Sequence, residues 1–121
     1  MSRIKVKNAS GSSVFGEPSC KCETWIEHWK NNSGYQLKDF CRCCGSHVGA
    51  NKLEGGHVRK VVKKDGEYII DPNDKSWYIV PLCGDCNKKK ENLGVFEVEE
   101  AILVSANCSN CKNQLVVKEE D

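Results

Sequence analysis

Nine cysteines in a chain of 121 residues constrain the fold more than any other feature of this sequence. They fall into four closely spaced groups: Cys20-x-Cys22, Cys41-x-Cys43-Cys44, Cys83-x-x-Cys86 and Cys108-x-x-Cys111. The first residues lack the apolar run and the cleavage site of a signal peptide, so we expect a cytoplasmic protein, in which disulfides are disfavoured. The clustered cysteines therefore indicate metal thiolate ligands.

The four groups supply enough thiolates for two tetrahedral zinc ions. A Cys-x-x-Cys turn holds two sulfurs near the separation that zinc requires, with Zn–S distances of about 2.3 Å. Four thiolates leave no coordination position open for water, so both ions are expected to be structural. Each ion would contribute about 10–16 kcal/mol at neutral pH, which is comparable to the net stability of a small domain.

Two of the cysteine groups are predicted to share one ion in a treble clef, in which a zinc knuckle and the start of a helix are joined by a β-hairpin. Gly45 directly follows the knuckle, where the chain turns back in a conformation that glycine tolerates. The third group follows a predicted strand and opens a predicted helix, whose terminal amides favour thiolates. Site 1 is therefore predicted from Cys41, Cys44, Cys83 and Cys86, and site 2 from Cys20, Cys22, Cys108 and Cys111.

Three residues leave alternatives open at these sites. Cys43 is the ninth thiol and could replace Cys41 or Cys44 as a ligand. His28 and His47 could substitute at either site, although such histidines more often lie at the surface or support a ligand through a hydrogen bond.

The remaining pattern predicts a small α+β domain with an N-terminal helix and a C-terminal hairpin around the treble clef. The capping box Thr24-x-x-Glu27 opens an N-terminal helix. Residues 58–70 are predicted to form a hairpin that turns at Asp65-Gly66, and 76–80 to form a further strand.

We expect one zinc-stapled domain over residues 20–117. An irregular arm rich in Ser, Gly and Lys precedes it at 1–19, and an acidic tail follows it at 118–121. The last cysteine pair lies between two apolar runs, which predicts a C-terminal hairpin with a zinc knuckle at its tip. No apolar stretch reaches the length of a membrane span, so no membrane association is expected.

Charge is distributed unevenly along the chain, although the formal net charge is only +1. Residues 1–90 carry 16 Lys and Arg against 10 Asp and Glu, whereas 91–121 carry 2 against 7. The cations concentrate in two clusters: Arg59, Lys60, Lys63 and Lys64, and then Lys88, Lys89 and Lys90. If both clusters lie side by side, a DNA or RNA backbone could cross them, and an ordinary solvated surface is the alternative.

The order of residues 41–90 resembles that of the HNH, or His-Me finger, endonucleases. The matching segments are Cys41-Arg-Cys-Cys44-Gly, Gly55-Gly56-His57-Val58 and Ile79-Val-Pro-Leu-Cys83-Gly-Asp-Cys86-Asn87-Lys88. The resemblance spans about fifty residues and implies a ββα-metal unit. It also implies that His57 is the general base that activates water, and that Asn87 is a ligand of a catalytic Mg²⁺ or Mn²⁺ ion.

Two positions depart from the pattern of this family. Gly56 stands where the family has an Asp or His ligand of the catalytic ion, and Tyr78 stands where it has an Asn that orients the histidine. Glu54 or Asp85 could supply a carboxylate, although neither occupies the family position. We therefore expect a zinc-binding, HNH-like module that binds nucleic acid without cleaving it. The alternatives are a metal-dependent endonuclease that uses the histidine and a zinc-stabilised scaffold that binds a protein partner.

Overall fold

The computed structural model describes residues 2–8, 18, 20, 22–89 and 94–107. This part of the chain is a mixed α+β fold dominated by an antiparallel sheet, which confirms the α+β part of the expected fold class. Its helices and strands are β1 (Arg3–Asn8), α1 (Trp25–Ser33), β2 (Leu53–Lys64), β3 (Glu67–Ile70), β4 (Tyr78–Cys83), α2 (Gly84–Lys89), β5 (Val95–Glu99) and β6 (Val104–Ser105). No helix in these ranges is long and apolar enough to cross a membrane.

The long strand β2 organises the sheet. The strand order is β5-β1-β2-β4-β6, and β3 pairs with β2 outside this order. The first half of β2 pairs with β4, and its second half pairs with β3. On the other edge of β2, Lys7 of β1 lies opposite Arg59. This register brings the start of β2 and the end of β4 together beside α2.

The β2–β3 hairpin turns where the sequence predicts. Asp65 and Gly66 occupy the two central turn positions, both with positive φ, 53° and 83°, as a type I′ turn requires. The strand begins at Leu53, earlier than predicted, because Gly55 and Gly56 pair with β4 as regular strand residues.

Helix α1 forms as its capping box predicts. The Thr24 hydroxyl accepts a hydrogen bond from the Glu27 amide at 3.2 Å, and Gly34 ends the helix in the left-handed conformation, with φ of 78°. Trp29 is fully buried, and its indole N–H donates to the Ile102 carbonyl at 2.8 Å. These contacts hold α1 against the segment that leads into β6.

The two helices lie on opposite faces of the sheet. A Cβ built on Gly55 would lie 2.6 Å from the Trp25 backbone, so α1 approaches this face closely. A Cβ built on Gly56 would lie 2.3 Å from Leu82 Cδ1 and 3.1 Å from Asn87 Oδ1, which places α2 on the other face. Adjacent residues of a strand point to opposite faces, so the two glycines allow close packing on both sides.

The hydrophobic core draws on several strands and both helices. The fully buried side chains with the largest volumes include Trp29, Ile79, Leu82, Ile102, Val6, Val58 and Val80. Cys41, Cys83 and Cys86 pack against this same core. The cysteine groups are therefore continuous with the core of the domain.

The N-terminal segment of the chain is more regular than the sequence predicts, and the C-terminal segment is described only in part. Residues 3–8, within the segment expected to be an irregular arm, form the regular strand β1. The reason is a period-two pattern in which Ile4 and Val6 alternate with cationic residues, and Val6 is fully buried. The first apolar run of the expected C-terminal hairpin, residues 101–104, continues from a 3-10 turn at Glu100–Ile102 into β6. Its cysteine pair, Cys108 and Cys111, and its second run, like the acidic tail, lie outside the described residues.

Candidate functional site

Four cysteines converge at the end of β4. The Sγ atoms of Cys41, Cys44, Cys83 and Cys86, which we call the four-cysteine cluster, all lie within 4.8 Å of one another. The Cys44 and Cys83 Sγ atoms are 3.8 Å apart, which matches the separation of two sulfurs bound tetrahedrally at about 2.3 Å from zinc. The cluster could hold a metal ion, and it contains the four residues predicted for site 1.

A tight turn presents the first two of these thiols. The Gly45 amide donates to the Cys41 carbonyl at 2.9 Å, and the Cys41 amide donates to the Ser46 carbonyl at 3.0 Å. Gly45 has φ of 80°, which explains the glycine after the second cysteine. The Cys43 amide donates to Cys41 Sγ at 3.3 Å, and such a bond orients and stabilises a thiolate ligand.

The second pair of thiols comes from the junction of β4 and α2. Cys83 is the last residue of the strand and Cys86 lies in the first turn of the helix, and both are buried. The Arg42 amide donates to the Pro81 carbonyl at 3.0 Å, which ties the turn of the first pair to the end of β4. The arrangement of turn, strand end and helix start thus brings the two halves of the cluster together.

The electrostatics of the cluster favour a bound cation. The Ser46 hydroxyl lies 3.3 Å from Cys44 Sγ, and hydrogen bonding by this hydroxyl and by the Ser46 amide lowers the pKa of Cys44 to about 6. Burial raises the pKa of Cys83 and of Cys86, because a buried thiolate lacks solvation. A divalent cation compensates the thiolate charge, and a set of four soft sulfur ligands suits zinc.

Two of the alternative ligands lie outside this group of four. Cys43 is partly buried beside the cluster, and burial raises the pKa of its thiol. His47 is well exposed, and its Nδ1 lies 3.0 Å from Asp39 Oδ1. The structure therefore brings Cys41 and Cys44, rather than these two residues, to the common site.

A second cluster lies where the chain enters α1. Cys20, Cys22 and His28 are all buried, and each offers one ligand atom within 4.8 Å of the other two. The two cysteines belong to the predicted site 2, whereas the sequence left His28 only as an alternative ligand. The other ligands predicted for site 2, Cys108 and Cys111, lie outside the described residues. The described part of the chain thus contains a set of two thiols and one imidazole that could hold a metal ion.

His57, the candidate general base, lies on the face of the sheet that α1 covers. Its ring packs edge-on against Trp25, with the centroids 4.8 Å apart, and against Trp77 with the centroids 6.3 Å apart. The residue is only 8% exposed. A histidine enclosed between two indole rings has little access to water or to a phosphate ester.

Asn87, the candidate ligand of a catalytic ion, lies on the opposite face. Its Nδ2 donates to Glu54 Oε1 at 2.8 Å, and its Oδ1 lies close to Gly56. The Asn8 amide group donates from β1 toward the Cys86 and Asn87 carbonyls, each at 3.4 Å, and holds the start of α2 in place. The sheet therefore separates the two candidate catalytic residues, and the structure does not bring them together.

Two of the predicted phosphate-binding cations make contacts within the domain. The Lys60 ammonium lies 3.4 Å from Asp74 Oδ2 and over the ring of Tyr78. The Arg59 guanidinium lies over the Trp77 ring, 5.2 Å from its centroid. Lys60 is thus largely committed to an internal ion pair, whereas Arg59 combines a cation with an aromatic surface.

The other predicted cations lie at two distant places. Lys63 and Lys64 are exposed at the tip of the β2–β3 hairpin. Lys88 is exposed on α2, whereas the Lys89 side chain and Lys90 lie outside what the structure describes. At about 3.3 Å per strand residue, the lysines at the hairpin tip are roughly 25 Å from Gly56, where β2 contacts α2. The hairpin tip and Lys88 therefore do not form one continuous patch.

Sequence reasoning overlooked the cations of β1. Lys5 and Lys7 point to the same face as Arg59 and Lys63, because Lys7 pairs directly with Arg59. The ammonium groups of Lys5 and Lys63 each lie 5.7 Å from the ring centroid of Tyr68, which is 40% exposed. We call these five residues the basic face. Its signal in the sequence was the alternation of cationic and apolar residues at the start of the chain.

Acidic residues neutralise this face only in part. Glu97 of β5 lies 2.7 Å from the Lys5 ammonium and 3.2 Å from the Arg3 guanidinium. Lys7 and Lys63 form no ion pair within the described part of the chain. The basic face therefore keeps a positive balance.

Comparison with known proteins assigns this chain to no family. No family model, no curated protein and no solved structure matches the chain. What the protein does must therefore be inferred from the two metal-binding clusters and the basic face.

Proposed function

We propose that this chain is a zinc-stabilised, HNH-like treble-clef module that binds nucleic acid through its basic face and does not cleave it. The single observation that carries the binding part is the exposed Tyr68 ring, which has the ammonium groups of Lys5 and Lys63 each 5.7 Å from its centroid. Ammonium groups bind phosphates, and an exposed aromatic ring stacks on bases regardless of their sequence.

The zinc part of the proposal is supported by the four-cysteine cluster. Its sulfurs have the spacing of a tetrahedral thiolate site, and every ligand position is filled by protein. Such an ion is structural, because no position stays open for water or substrate.

The treble-clef part is supported by the order of the elements around this cluster. A glycine-containing turn supplies Cys41 and Cys44, and a strand end and the following helix supply Cys83 and Cys86. The strand that pairs with β4 is β2, which carries the Gly55-Gly56-His57 segment. This is the order on which the resemblance to HNH endonucleases depends.

The positions of His57 and Asn87 support the proposal that the domain does not cleave nucleic acid. An HNH nuclease needs its base and its catalytic cation beside the same phosphate. Here the histidine packs between two tryptophans on the α1 face, whereas Asn87 bonds to Glu54 on the α2 face. A Cβ at Gly56 would lie 2.3 Å from Leu82 Cδ1, so the carboxylate or imidazole ligand of the family would fit here only if the buried Leu82 side chain shifted.

Salt-dependent binding tests the proposed function. The zinc-loaded full chain is titrated into fluorescent single-stranded and duplex DNA and RNA between about 50 and 200 mM salt, with anisotropy as the readout. We expect the logarithm of the binding constant to fall linearly with that of the salt concentration. Lys7→Gln and Lys63→Gln should each weaken binding to all sequences and reduce the salt slope by about 1.

Lys38→Gln is the matched control, because Lys38 is an exposed lysine on the loop before the cysteine turn and is not one of the five residues of the basic face. An equal loss in this control would show that only net charge matters and would contradict the proposed face. Binding without salt dependence, or no binding at all, would favour the protein-interaction scaffold. Cleavage with Mg²⁺ or Mn²⁺ that disappears in His57→Ala would show that the domain is a nuclease.

A further inference from the structure

We propose that His28 is a zinc ligand, and that it forms a second zinc site with Cys20 and Cys22 through its Nδ1 atom. This site is separate from the four-cysteine cluster and does not depend on nucleic-acid binding. The sequence alone favours Cys108 and Cys111 beside the two N-terminal cysteines, so the histidine changes the predicted ligand set.

The geometry around His28 is that of a shared ligand set. Its Nδ1 lies 3.3 Å from Cys20 Sγ and 3.9 Å from Cys22 Sγ. All three residues are buried: Cys20 is 8% exposed, Cys22 5% and His28 1%. Ligand atoms at tetrahedral positions about 2.0–2.3 Å from zinc lie between about 3 and 4 Å from one another, which is the range seen here.

The second ring nitrogen determines which tautomer is present. His28 Nε2 lies 2.8 Å from the Ser105 carbonyl, which can only accept, so Nε2 carries the proton and donates it. Nδ1 of the neutral ring is then unprotonated, and its lone pair points toward the two sulfurs. A hydrogen bond from the distant ring nitrogen to a carbonyl is the usual support of a metal-binding histidine.

A further donor faces the thiols themselves. Asn31 lies on the same helix as His28, and its Nδ2 donates to Cys22 Sγ at 3.3 Å. A neutral buried cysteine needs no such donor, because it behaves as a small apolar residue. An amide that donates to sulfur instead stabilises thiolate, the form that binds metal.

The site would tie three segments together. Cys20 and Cys22 precede α1, His28 lies on the helix, and Ser105 belongs to β6. With three ligands from these residues, tetrahedral zinc has one position left. At most one of Cys108 and Cys111 can then bind this ion, and the predicted set of four cysteines cannot be complete while His28 is bound.

Metal counting tests the proposal in the full chain with zinc as the probe. Native mass spectrometry of the wild type should give two zinc ions, and His28→Gln should lose one of them. The matched control is His57→Gln, since His57 is also buried and also packs against Trp25. This control should keep both ions. Two ions in His28→Gln at the wild-type affinity, or a single ion in the wild type, would overturn the proposed site.

Nitrogen NMR of the wild-type protein tests the same point without a substitution, so a variant that fails to fold does not decide it. We expect His28 to show a protonated Nε2 and a metal-bound, unprotonated Nδ1 in the zinc-loaded chain. A protonated Nδ1 would refute the assignment. Loss of this site alone would leave the ion of the four-cysteine cluster in place, so its failure is distinguishable from failure of the proposed function.

Discussion

Replacing Cys83 by serine tests the assignment of the four-cysteine cluster, and replacing Cys43 by serine is its matched control. The two thiols lie close together, and burial raises the pKa of each. Only Cys83 belongs to the four mutually close sulfurs. The same chemical change, sulfur to oxygen, should therefore have very different consequences at the two positions.

The expected difference follows from the energy of zinc binding. A structural site contributes about 10–16 kcal/mol, or about 2.5–4 kcal/mol for each of four thiolates if they share it equally. The net stability of a domain is about 5–15 kcal/mol, so Cys83→Ser should remove a large part of it. Cys43→Ser keeps the amide that bonds to Cys41 Sγ and alters one partly buried thiol, so about 1 kcal/mol is expected.

Two measurements on both variants check this prediction. Urea denaturation at a fixed free zinc concentration gives the free energy of unfolding, and native mass spectrometry gives the number of bound ions. Cys83→Ser should lose or weaken one ion and unfold at much lower urea, whereas Cys43→Ser should resemble the wild type. Equal destabilisation of the two variants would show that the ninth cysteine has been chosen wrongly.

Three further predictions concern metal removal, packing and pH. A zinc chelator should unfold the domain at neutral pH, seen as loss of the near-ultraviolet circular dichroism signal, and added zinc should restore it. Gly56→Ala should cost about 1–3 kcal/mol in urea denaturation, because the new methyl group would overlap the Leu82 side chain. Tyr78→Phe should cost up to about 1 kcal/mol at pH 7, because the Tyr78 hydroxyl donates to Asp74 at 2.7 Å and lowers the pKa of that carboxyl. A carboxyl with a lowered pKa stabilises the fold above its unfolded pKa, so this difference should shrink below about pH 4.

Each of these three has an outcome that contradicts it. Full native structure in excess chelator would show that metal does not stabilise the fold. A neutral Gly56→Ala would mean that Leu82 can move away without cost. A Tyr78→Phe effect of the same size in an Asp74→Ala background at pH 7 would exclude the carboxyl of Asp74 as its origin.

Local features of the fold were predictable because their causes are local. The Thr24 cap, the Gly34 stop and the Asp65-Gly66 turn depend on the chemistry of a few adjacent residues. The strand β1 was missed although its alternation is visible, since one half-buried strand has a weak pattern amid a Ser- and Gly-rich segment.

The sequence by itself determined the four cysteine groups and their spacing, because close spacing and turn chemistry act over short distances. The order of knuckle, hairpin and helix start predicted the set of four that meets at the end of β4. Only the tertiary structure decided which side of the sheet each polar residue occupies. Gly56 and His57 are neighbours in the chain but point to opposite faces, so the histidine meets Trp25 whereas Asn87 meets Glu54. The carbonyl partner of His28 was equally hidden from the sequence. Ser105 lies 77 positions away, and packing of α1 against the end of the sheet alone brings its carbonyl to the imidazole.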